Sequence, residues 1–352
     1  MAPTDTLRAE YDALTQRCGL VDRSERGKLA LTGSGAVEFL NGQVTNELAD
    51  LRPGEGCYAA FLTHKGKMLG DLRILAVGER PDGPVSELLL DTERAALQPL
   101  FDMVRRYKVG YDVELHKRTL ECGLLSLVGP DSRACTGQLV GVQKESLHTH
   151  ASADAPPPSS AAAALAEAEH THLVAEIASA PVRLIAAADG IDVLCAAAAL
   201  NAVRSALLDA GAAPASEVAA EIVRVERGRP RYGVDIDDTT IPQEAGLNEH
   251  AVSFTKGCYV GQETVARLHY RGKPNRHLRG LRFAPLGEAA IHPEPGEELR
   301  LGERVVGRLG SVVESPRLGT IGLALVRREA SPGDTLSAGA TTAEVVELPF
   351  PA

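Results

Sequence analysis

The hydrophobic pattern of the chain changes character after Arg282, and this change constrains the fold more than any other single feature. The residues that follow are rich in glycine, proline and short β-branched runs, which lie at 303–310, 320–326 and 343–348. Short strands separated by turn residues are typical of small antiparallel barrels. The pattern therefore predicts a small C-terminal antiparallel β-barrel.

The first third of the chain alternates strand and helix patterns instead. A short strand at 28–32 is followed by a helix that begins near Ala36, and apolar strands follow at 72–77 and 87–91. One buried helical stripe has apolar residues at i, i+3, i+4 and i+7. It consists of Leu97, Leu100, Phe101 and Val104. We expect Asp91 and Thr92 to cap this helix, and the mixture predicts an α+β class.

Charge and composition exclude several functions. Acidic residues outnumber basic ones by 47 to 37, for a formal net charge of -10. Stable nucleic-acid binding needs concentrated lysine and arginine, so the overall balance argues against it. No uncharged apolar run reaches the roughly 18 residues of a membrane span, and no secretory signal is visible at the N-terminus. We expect a cytoplasmic protein without membrane contact.

The six cysteines are scattered, and the closest pair, Cys122 and Cys135, is 13 residues apart. The chain therefore has no C-x-x-C unit and offers no four-thiolate frame for a cluster of its own. Scattered cysteines favour reduced thiols over a disulfide framework.

Four of the ten histidines flank a low-complexity segment at 151–164 as two H-T-H pairs. They are His148, His150, His170 and His172. The segment supplies neither carboxylates nor thiols in a fixed frame, so we predict an exposed mobile insertion and no metal site.

The segment 256–263 carries the most chemical information. Lys256 and Gly257 precede Cys258, so an ammonium group stands beside a thiol between two glycines. A nearby positive charge favours the thiolate, which makes Cys258 the cysteine with a reason to be reactive. A small buried thiol at a tight packing point is the alternative that the spacing leaves open.

The octet K-G-C-Y-V-G-Q-E, from Lys256 to Glu263, resembles the signature of the YgfZ-type folate-binding proteins. These are relatives of the glycine cleavage T-protein, an aminomethyltransferase. Other blocks of the chain resemble the same family, at 39–46, 53–55, 62–71, 128–130, 232–235 and 241–244. The resemblance covers nearly the whole chain apart from the insertion near 151–164.

The resemblance implies a three-lobed, aminomethyltransferase-like α+β fold around a channel for tetrahydrofolate or a derivative. It implies an N-terminal lobe over 1–117, to which residues 222–275 return with the octet. A second lobe would span 118–221, and the C-terminal β-barrel would span 276–352.

The family likeness also implies a function. YgfZ-type proteins are implicated in the assembly or repair of iron–sulfur clusters in client enzymes, including tRNA-modifying enzymes. This chain would then be a folate-binding accessory protein whose partners are folate, including polyglutamylated forms, and client iron–sulfur proteins.

Site residues follow from the matching blocks one by one. Asp71 matches the T-protein's catalytic aspartate and would act as a general acid/base or orienting group. Cys258 would be the essential thiol. The remaining matches would line the folate channel, and they are Asn41, Arg224, Glu226, Lys256, Tyr259, Gln262 and Glu263. An arginine such as Arg224 would pair with a folate carboxylate.

The chain departs from the T-protein at 184–193, where the family's pterin tyrosine and carboxylate are missing. Asp189 or Asp192 would have to replace that carboxylate. This departure argues against aminomethyl or methyl transfer of the T-protein type, which is the alternative function. A non-catalytic interaction protein that no longer binds folate is the second alternative.

Residues 256–282 contain seven basic residues and one acid, a local charge of +6 in an acidic chain. We expect this basic stretch to attract an anionic folate tail or an acidic partner.

Overall fold

The computed structural model describes residues 5–139, 165–166, 168–285 and 292–351, and its N-terminal part contains a five-stranded antiparallel sheet. The order across this first sheet is β3-β4-β5-β2-β6. Its strands are β2 (Gly27–Thr32), β3 (Gly56–Leu62), β4 (Met68–Val77), β5 (Glu87–Thr92) and β6 (Glu114–Lys117). Helices α2 (Ala36–Asn41) and α3 (Arg94–Tyr107) connect these strands.

Alternation along β4 explains how this sheet serves two purposes. Leu72 and Ile74 are buried in the apolar core, whereas Asp71 and Arg73 alternate with them and point to the opposite face. In the ladder, Arg73 lies opposite Tyr58 on one side and Asp91 on the other. One face of the sheet is therefore apolar, and the other carries ionisable groups.

A second sheet of six strands has the order β11-β1-β7-β10-β9-β8 and combines the start of the chain with its middle. Its strands are β1 (Gly19–Asp22), β7 (Cys122–Val128), β8 (His172–Ile177), β9 (Ala180–Ala187), β10 (Gly190–Ala196) and β11 (Ala213–Pro214). All neighbours are antiparallel except β1 and β11. The accompanying helices are α1 (Asp5–Gln16), α4 (Ser132–Gly137) and α5 (Leu200–Asp209), the last preceded by the 3-10 turn Ala197–Ala199.

The C-terminal strands form a closed antiparallel barrel in the order β12-β15-β14-β13-β16-β17. They are β12 (Arg276–Phe283), β13 (Glu298–Leu301), β14 (Arg304–Ser315), β15 (Gly319–Arg327), β16 (Thr335–Ala338) and β17 (Thr341–Val346). The barrel predicted from the composition after Arg282 is confirmed.

The chain crosses between these layers through helix α6 (Glu217–Glu226), which packs on α1 and on the barrel. Apolar residues from the following segment, such as Ile236 and Val265, belong to the core of the first sheet. Two short helices lie in this segment, α7 (Asn248–Ala251) and α8 (Gln262–Arg271). The domain boundaries read from the sequence stay a prediction.

One local expectation was wrong. Asp91 and Thr92 do not cap α3 but are the last residues of β5, and the N-cap position belongs to Glu93. The hydroxyl of Thr92 donates instead to the backbone oxygen of Asp71, because strand pairing brings it there.

Among the described residues, no helix is long and apolar enough to cross a membrane.

Candidate functional site

A cavity of about 900 Å³ lies between the two sheets, the end of α6 and the segment 227–232. We call it the central cavity. Eight arginines line it, namely Arg23, Arg26, Arg73, Arg224, Arg227, Arg229, Arg231 and Arg279. Eight carboxylates line it as well, namely Asp71, Asp91, Glu93, Glu169, Asp189, Asp192, Glu249 and Glu347. The wall is thus highly charged yet nearly balanced.

Arg73 joins the two sheets across this cavity. Its Nη2 lies 2.8 Å from Asp91 Oδ2 on the first sheet, and its Nη1 donates to Asp192 Oδ2 on the second at 2.6 Å. Arg26 donates to the other oxygen of Asp91 at 2.8 Å, and Ser126 donates to the other oxygen of Asp192 at 2.6 Å. Each buried charge therefore has partners, which offsets the cost of desolvation.

The charges of this network shift the pKa values of its carboxyl groups. Burial alone would raise the pKa of Asp91, but Arg26 and Arg73 hold it below its usual value. The pKa of Asp192 is lowered in the same way, because Arg73, Ser126 and Arg23 together outweigh burial. Both groups are carboxylates at neutral pH.

Asp71 differs from these neighbours. Its side chain is buried, and its described side-chain partner is the phenol of Tyr58, which donates to Oδ2 at 2.6 Å. Burial raises the pKa of Asp71 to about 6, although the Tyr58 hydrogen bond opposes the shift. Burial also raises the pKa of Tyr58 well above its usual value, so the phenol stays a donor.

A comparison of the cavity carboxylates singles Asp71 out further. Six of the eight lie within 4.0 Å of an arginine nitrogen. Among the described ion pairs, Asp71 and Glu249 have no such partner, and Glu249 is exposed. Asp71 is therefore the buried cavity carboxylate that keeps acceptor capacity for a ligand and titrates near neutral pH.

His170 forms part of the wall next to Asp71. Its ring stacks on Tyr58 with 6.4 Å between centroids and 27° between planes, and its backbone φ is 72°. Burial lowers the pKa of His170 to about 4, so the ring is neutral at pH 7. A left-handed backbone at a bulky residue costs free energy and often marks a functional position.

The predicted exposed loop at the second H-T-H pair is therefore wrong. His170 lies in the cavity wall, and His172 is a buried residue of β8, because β8 pairs there with β9. His148 and His150 lie outside the described residues. No cluster of histidine, cysteine or carboxylate side chains in the described part of the chain is arranged to hold a metal ion.

Arg224 lines the central cavity, but its guanidinium is fully engaged. Glu221 accepts from Nε at 2.9 Å and from Nη2 at 2.8 Å, and Asp235 accepts from Nη1 at 2.8 Å. The remaining two N–H groups donate to Arg229 O and Ser311 Oγ. All five donors thus have protein acceptors, so Arg224 has none left for a folate carboxylate in this conformation.

Glu226 is not brought to the central cavity. It lies at the C-terminal end of α6 and accepts hydrogen bonds from Tyr11 and Ser315, with Arg317 3.8 Å away. These contacts lie between α1, α6 and the barrel. Glu226 therefore has a structural position, and the helix separates it from Asp71.

The octet forms a separate structure beside the first sheet. The ammonium of Lys256 is buried and lies within hydrogen-bond distance of four oxygens, at the end of α2 and in the loop that follows it. These are Asn41 O at 2.7 Å, Asn41 Oδ1 at 2.9 Å, Val44 O at 3.0 Å and Asn46 O at 2.6 Å. We call this arrangement the lysine cage. Burial lowers the pKa of Lys256 to about 8, which leaves it charged at pH 7.

The other octet residues surround this cage. Tyr259 is buried with its ring 5.4 Å from the Lys256 ammonium, and Gln262 begins α8 and donates to Gly257 O. Glu263 and Cys258 are exposed. The ammonium is directed into the lysine cage, so the proposed pairing of Lys256 with Cys258 is not seen. Nor is Cys258 the buried thiol of the alternative.

The position of Gly261, near the end of the octet, requires a glycine. Its φ is 84°, and a Cβ there would lie 2.6 Å from the backbone oxygen of Thr63. The turn between β3 and β4 packs directly on this point, so a side chain would separate the two segments. The octet is thus held against the sheet that carries Asp71.

The basic stretch 256–282 does not surround the central cavity. Of its seven basic residues, Arg279 alone is among the cavity-lining residues. The cavity arginines come instead from strands of the first lobe and from the segment 224–231. The expectation that the stretch attracts an anionic folate tail or an acidic partner stays a prediction.

Sequence reasoning missed most of the ionisable wall, including Tyr58, Arg73, Asp91 and His170. A signal was present in the strands. Asp71-Leu72-Arg73 and Leu90-Asp91 place charges inside otherwise apolar runs, which buried strands tolerate only when the charges are paired.

Comparisons with known proteins agree with this architecture. The model of the GCVT N-terminal domain matches residues 3–156, and that of the CAF17 C-terminal beta-barrel domain matches residues 280–349. An aminomethyltransferase of Halothermothrix orenii is 28% identical over 347 residues, which cover 97% of this chain and 90% of the relative. A putative chloroplastic transferase of Arabidopsis thaliana is 27% identical over 348 residues, which cover 96% of this chain and 72% of the relative.

A solved structure shows the same fold. The glycine cleavage system aminomethyltransferase T of Bartonella henselae superposes with a TM-score of 0.78 at 21% identity, over 98% of this chain and 89% of that chain. The protein therefore has the predicted aminomethyltransferase-like fold of mixed α and β content. Its N-terminal part is similar to the GCVT N-terminal domain, and its C-terminal part is similar to the CAF17 C-terminal beta-barrel domain.

Proposed function

We propose that this protein binds tetrahydrofolate or a derivative in the central cavity. The observation that carries the proposal is Asp71, a buried carboxylate without an arginine partner among the described residues, on the wall of a cavity of about 900 Å³. A cavity of that volume is large enough for a folate-sized ligand. The GCVT-type domain and the fold point to the same ligand class.

The residues present fit such a ligand. A pterin offers N–H donors on a flat heterocycle, and Asp71 supplies an acceptor that Tyr58 holds in place. The neighbouring His170 and Tyr58 rings supply flat surfaces for packing. Folate, when bound, supplies nitrogen atoms that carry one-carbon groups. Asp71 is the residue placed to hold or move a proton there, since its pKa of about 6 lies near neutrality.

Titration of tetrahydrofolate into the purified protein tests this proposal. We expect binding at micromolar concentration, measured by fluorescence quenching or calorimetry. Asp71→Asn should weaken binding by about 10- to 150-fold, because a hydrogen bond to a charged acceptor contributes about 1.5–3 kcal/mol. Asp82→Asn, an exposed carboxylate, is the matched control and should bind as the parent does.

A lack of binding at millimolar folate would overturn the proposal. It would leave the non-catalytic interaction protein as the remaining reading of the chain.

We further propose that the protein acts as an accessory factor for client iron–sulfur enzymes, with Cys258 as its functional thiol. Two features support this role: the YgfZ-like octet, and the exposure of Cys258 just before α8. Any contact with a cluster would be shared with the client, because no thiol or histidine cluster is found in the described chain.

A rescue experiment tests the accessory role. In cells that lack this factor, Cys258→Ala should fail to restore the activity of an iron–sulfur tRNA-modifying enzyme. The substitution should change the free energy of unfolding by less than about 0.5 kcal/mol, since the thiol is exposed. Full rescue by Cys258→Ala would remove the thiol from the mechanism.

Folate-dependent aminomethyl transfer is the second candidate. The names of relatives that align along nearly the whole chain favour it. Against it, Asp189 and Asp192 both line the cavity but are paired, with Arg227 and Arg73 respectively. A transfer assay with an aminomethyl-lipoyl carrier separates the two functions. We expect no turnover, and robust turnover would make this the preferred function.

A further inference from the structure

A second pocket, of about 590 Å³, lies on the other side of the α6 C-terminus from the central cavity. Helix α1 contributes Arg8 and Asp12 to it, and the segment after β14 contributes Arg317. Its size falls within the range of pockets that bind small ligands, roughly 300–1,000 Å³. Nothing in the proposed function uses it.

The two cavities share part of their walls. Val223, Arg227 and Pro349 line both. The guanidinium of Arg227 pairs with Asp189, which faces the central cavity, and its side chain is 36% exposed. Arg227 is therefore placed between the two spaces and is accessible from them.

The charges of the second pocket favour an anion. Three guanidinium groups line it, those of Arg8, Arg227 and Arg317, against the carboxylates of Asp12 and Glu226. Glu226 is buried and accepts hydrogen bonds from Tyr11 and Ser315, so its oxygens already have donors within the protein. Arg8 is exposed and has no ion pair among the described residues.

Arg317 also has donors to offer. Its side chain is 41% exposed, and its described contacts are the phenol of Tyr11, the backbone oxygen of Pro351 at 3.1 Å and Glu226 at 3.8 Å. Guanidinium groups bind carboxylates through paired N–H donors. Several such groups spread around one pocket suit a ligand with repeated carboxylates better than a single small anion.

We propose that the second pocket binds the anionic tail of the ligand held in the central cavity, a chain of linked glutamate residues. The proposal rests on the proposed function, because the tail belongs to a folate-class ligand. It assigns tail recognition to Arg8, Arg227 and Arg317, in place of Arg224 and the basic stretch. Carboxylates of the tail would share Arg227 with Asp189 and then meet Arg317 and Arg8.

The test compares tetrahydrofolate carrying one glutamate with tetrahydrofolate carrying five, by calorimetry at 50 mM and 500 mM salt. We expect the parent protein to bind the pentaglutamate at least tenfold more tightly at low salt, and the preference to shrink at high salt. The double variant Arg8→Gln with Arg317→Gln should bind the monoglutamate like the parent but lose the preference. Arg80→Gln, at another exposed arginine, is the control and should keep it.

The outcomes separate this inference from the proposed function. If the parent binds neither ligand, both fail. If it binds both with equal affinity, or if the double variant keeps the preference, the tail site is wrong while folate binding stands. Arg8→Gln alone changes only an exposed helix residue, so it gives a partial loss of preference even if the double variant does not fold.

Discussion

The central cavity and the octet use buried charge in opposite ways. In the cavity, arginines and carboxylates neutralise each other in pairs, and Asp71 is left with a phenol as its partner. In the octet, the single ammonium of Lys256 is surrounded by neutral oxygens from one loop. The first arrangement joins two sheets and leaves an acceptor open to a ligand. In the second arrangement, the hydrogen bonds of the Lys256 ammonium hold the loop after α2 in place.

The difference shows that the most recognisable motif of a chain need not line its largest described charged cavity wall; here the octet stands apart from the central cavity. The octet resembles a family signature, yet the described contacts of residues such as Lys256 and Gly261 hold the chain in shape. Ionisable wall residues of the cavity, such as Asp71, Arg73 and Asp91, are single charged residues within otherwise apolar strands. Three substitutions test this contrast, from the largest expected effect to the smallest.

Arg73→Met should break the charge network and lower the free energy of unfolding by about 3–5 kcal/mol, because it leaves Asp91 and Asp192 buried with fewer partners. Urea denaturation at pH 7 measures this. Arg118→Met is the matched control, since Arg118 pairs with Glu87 and Glu121 at the surface and should contribute less than about 1 kcal/mol. Equal effects of the two substitutions would show that the network is not specially stabilising.

Lys256→Met should lower the free energy of unfolding by about 3 kcal/mol, because several buried oxygens of the lysine cage lose their hydrogen-bond donor. It should leave tetrahydrofolate affinity within about threefold, as Lys256 does not line the cavity. Lys273→Met, at an exposed lysine, is the control for stability. A large loss of affinity with normal stability would instead place Lys256 in the ligand site.

Asp71→Asn should stabilise the protein at pH 7.5 by up to about 3 kcal/mol while it weakens folate binding. The folded-state pKa of about 6 lies above the ordinary value, so the native state binds the proton more tightly, and stability is lost as the pH rises from about 4 through 6. The advantage of the amide should therefore disappear below about pH 4. Urea denaturation at pH 7.5 and at pH 4 measures it.

Asp91→Asn is the control for the sign of this effect. The pKa of Asp91 is lowered by its arginines despite burial, so its charge stabilises the native state above its unfolded pKa and that stability is lost in acid. The amide should destabilise the protein at pH 7.5. If both substitutions changed stability in the same direction, the contrast between Asp71 and the paired carboxylates would be wrong.

Much of the fold follows from the sequence. Turn residues between short β-branched runs predicted the barrel, and the family likeness predicted the aminomethyltransferase-like fold, which the comparisons confirm. The position of Asp71 on the cavity wall agrees with the block that suggested it. The partners of Glu226 and Lys256, and Ser311 as an acceptor for Arg224, could not be predicted, because each lies on another element more than eighty residues away.

The sequence alone determined the strand and helix periods, the octet and the carboxylate in the G-D-L-R run, since these depend on the order of neighbouring residues. Tertiary structure decided which charges remain available. Whether an arginine is free to bind a ligand depends on the acceptors that the fold brings within 3 Å of it. Arg224 has five such acceptors, whereas Arg8 has no ion pair among the described residues. Hydrogen bonding acts over such short distances that only the folded arrangement fixes it.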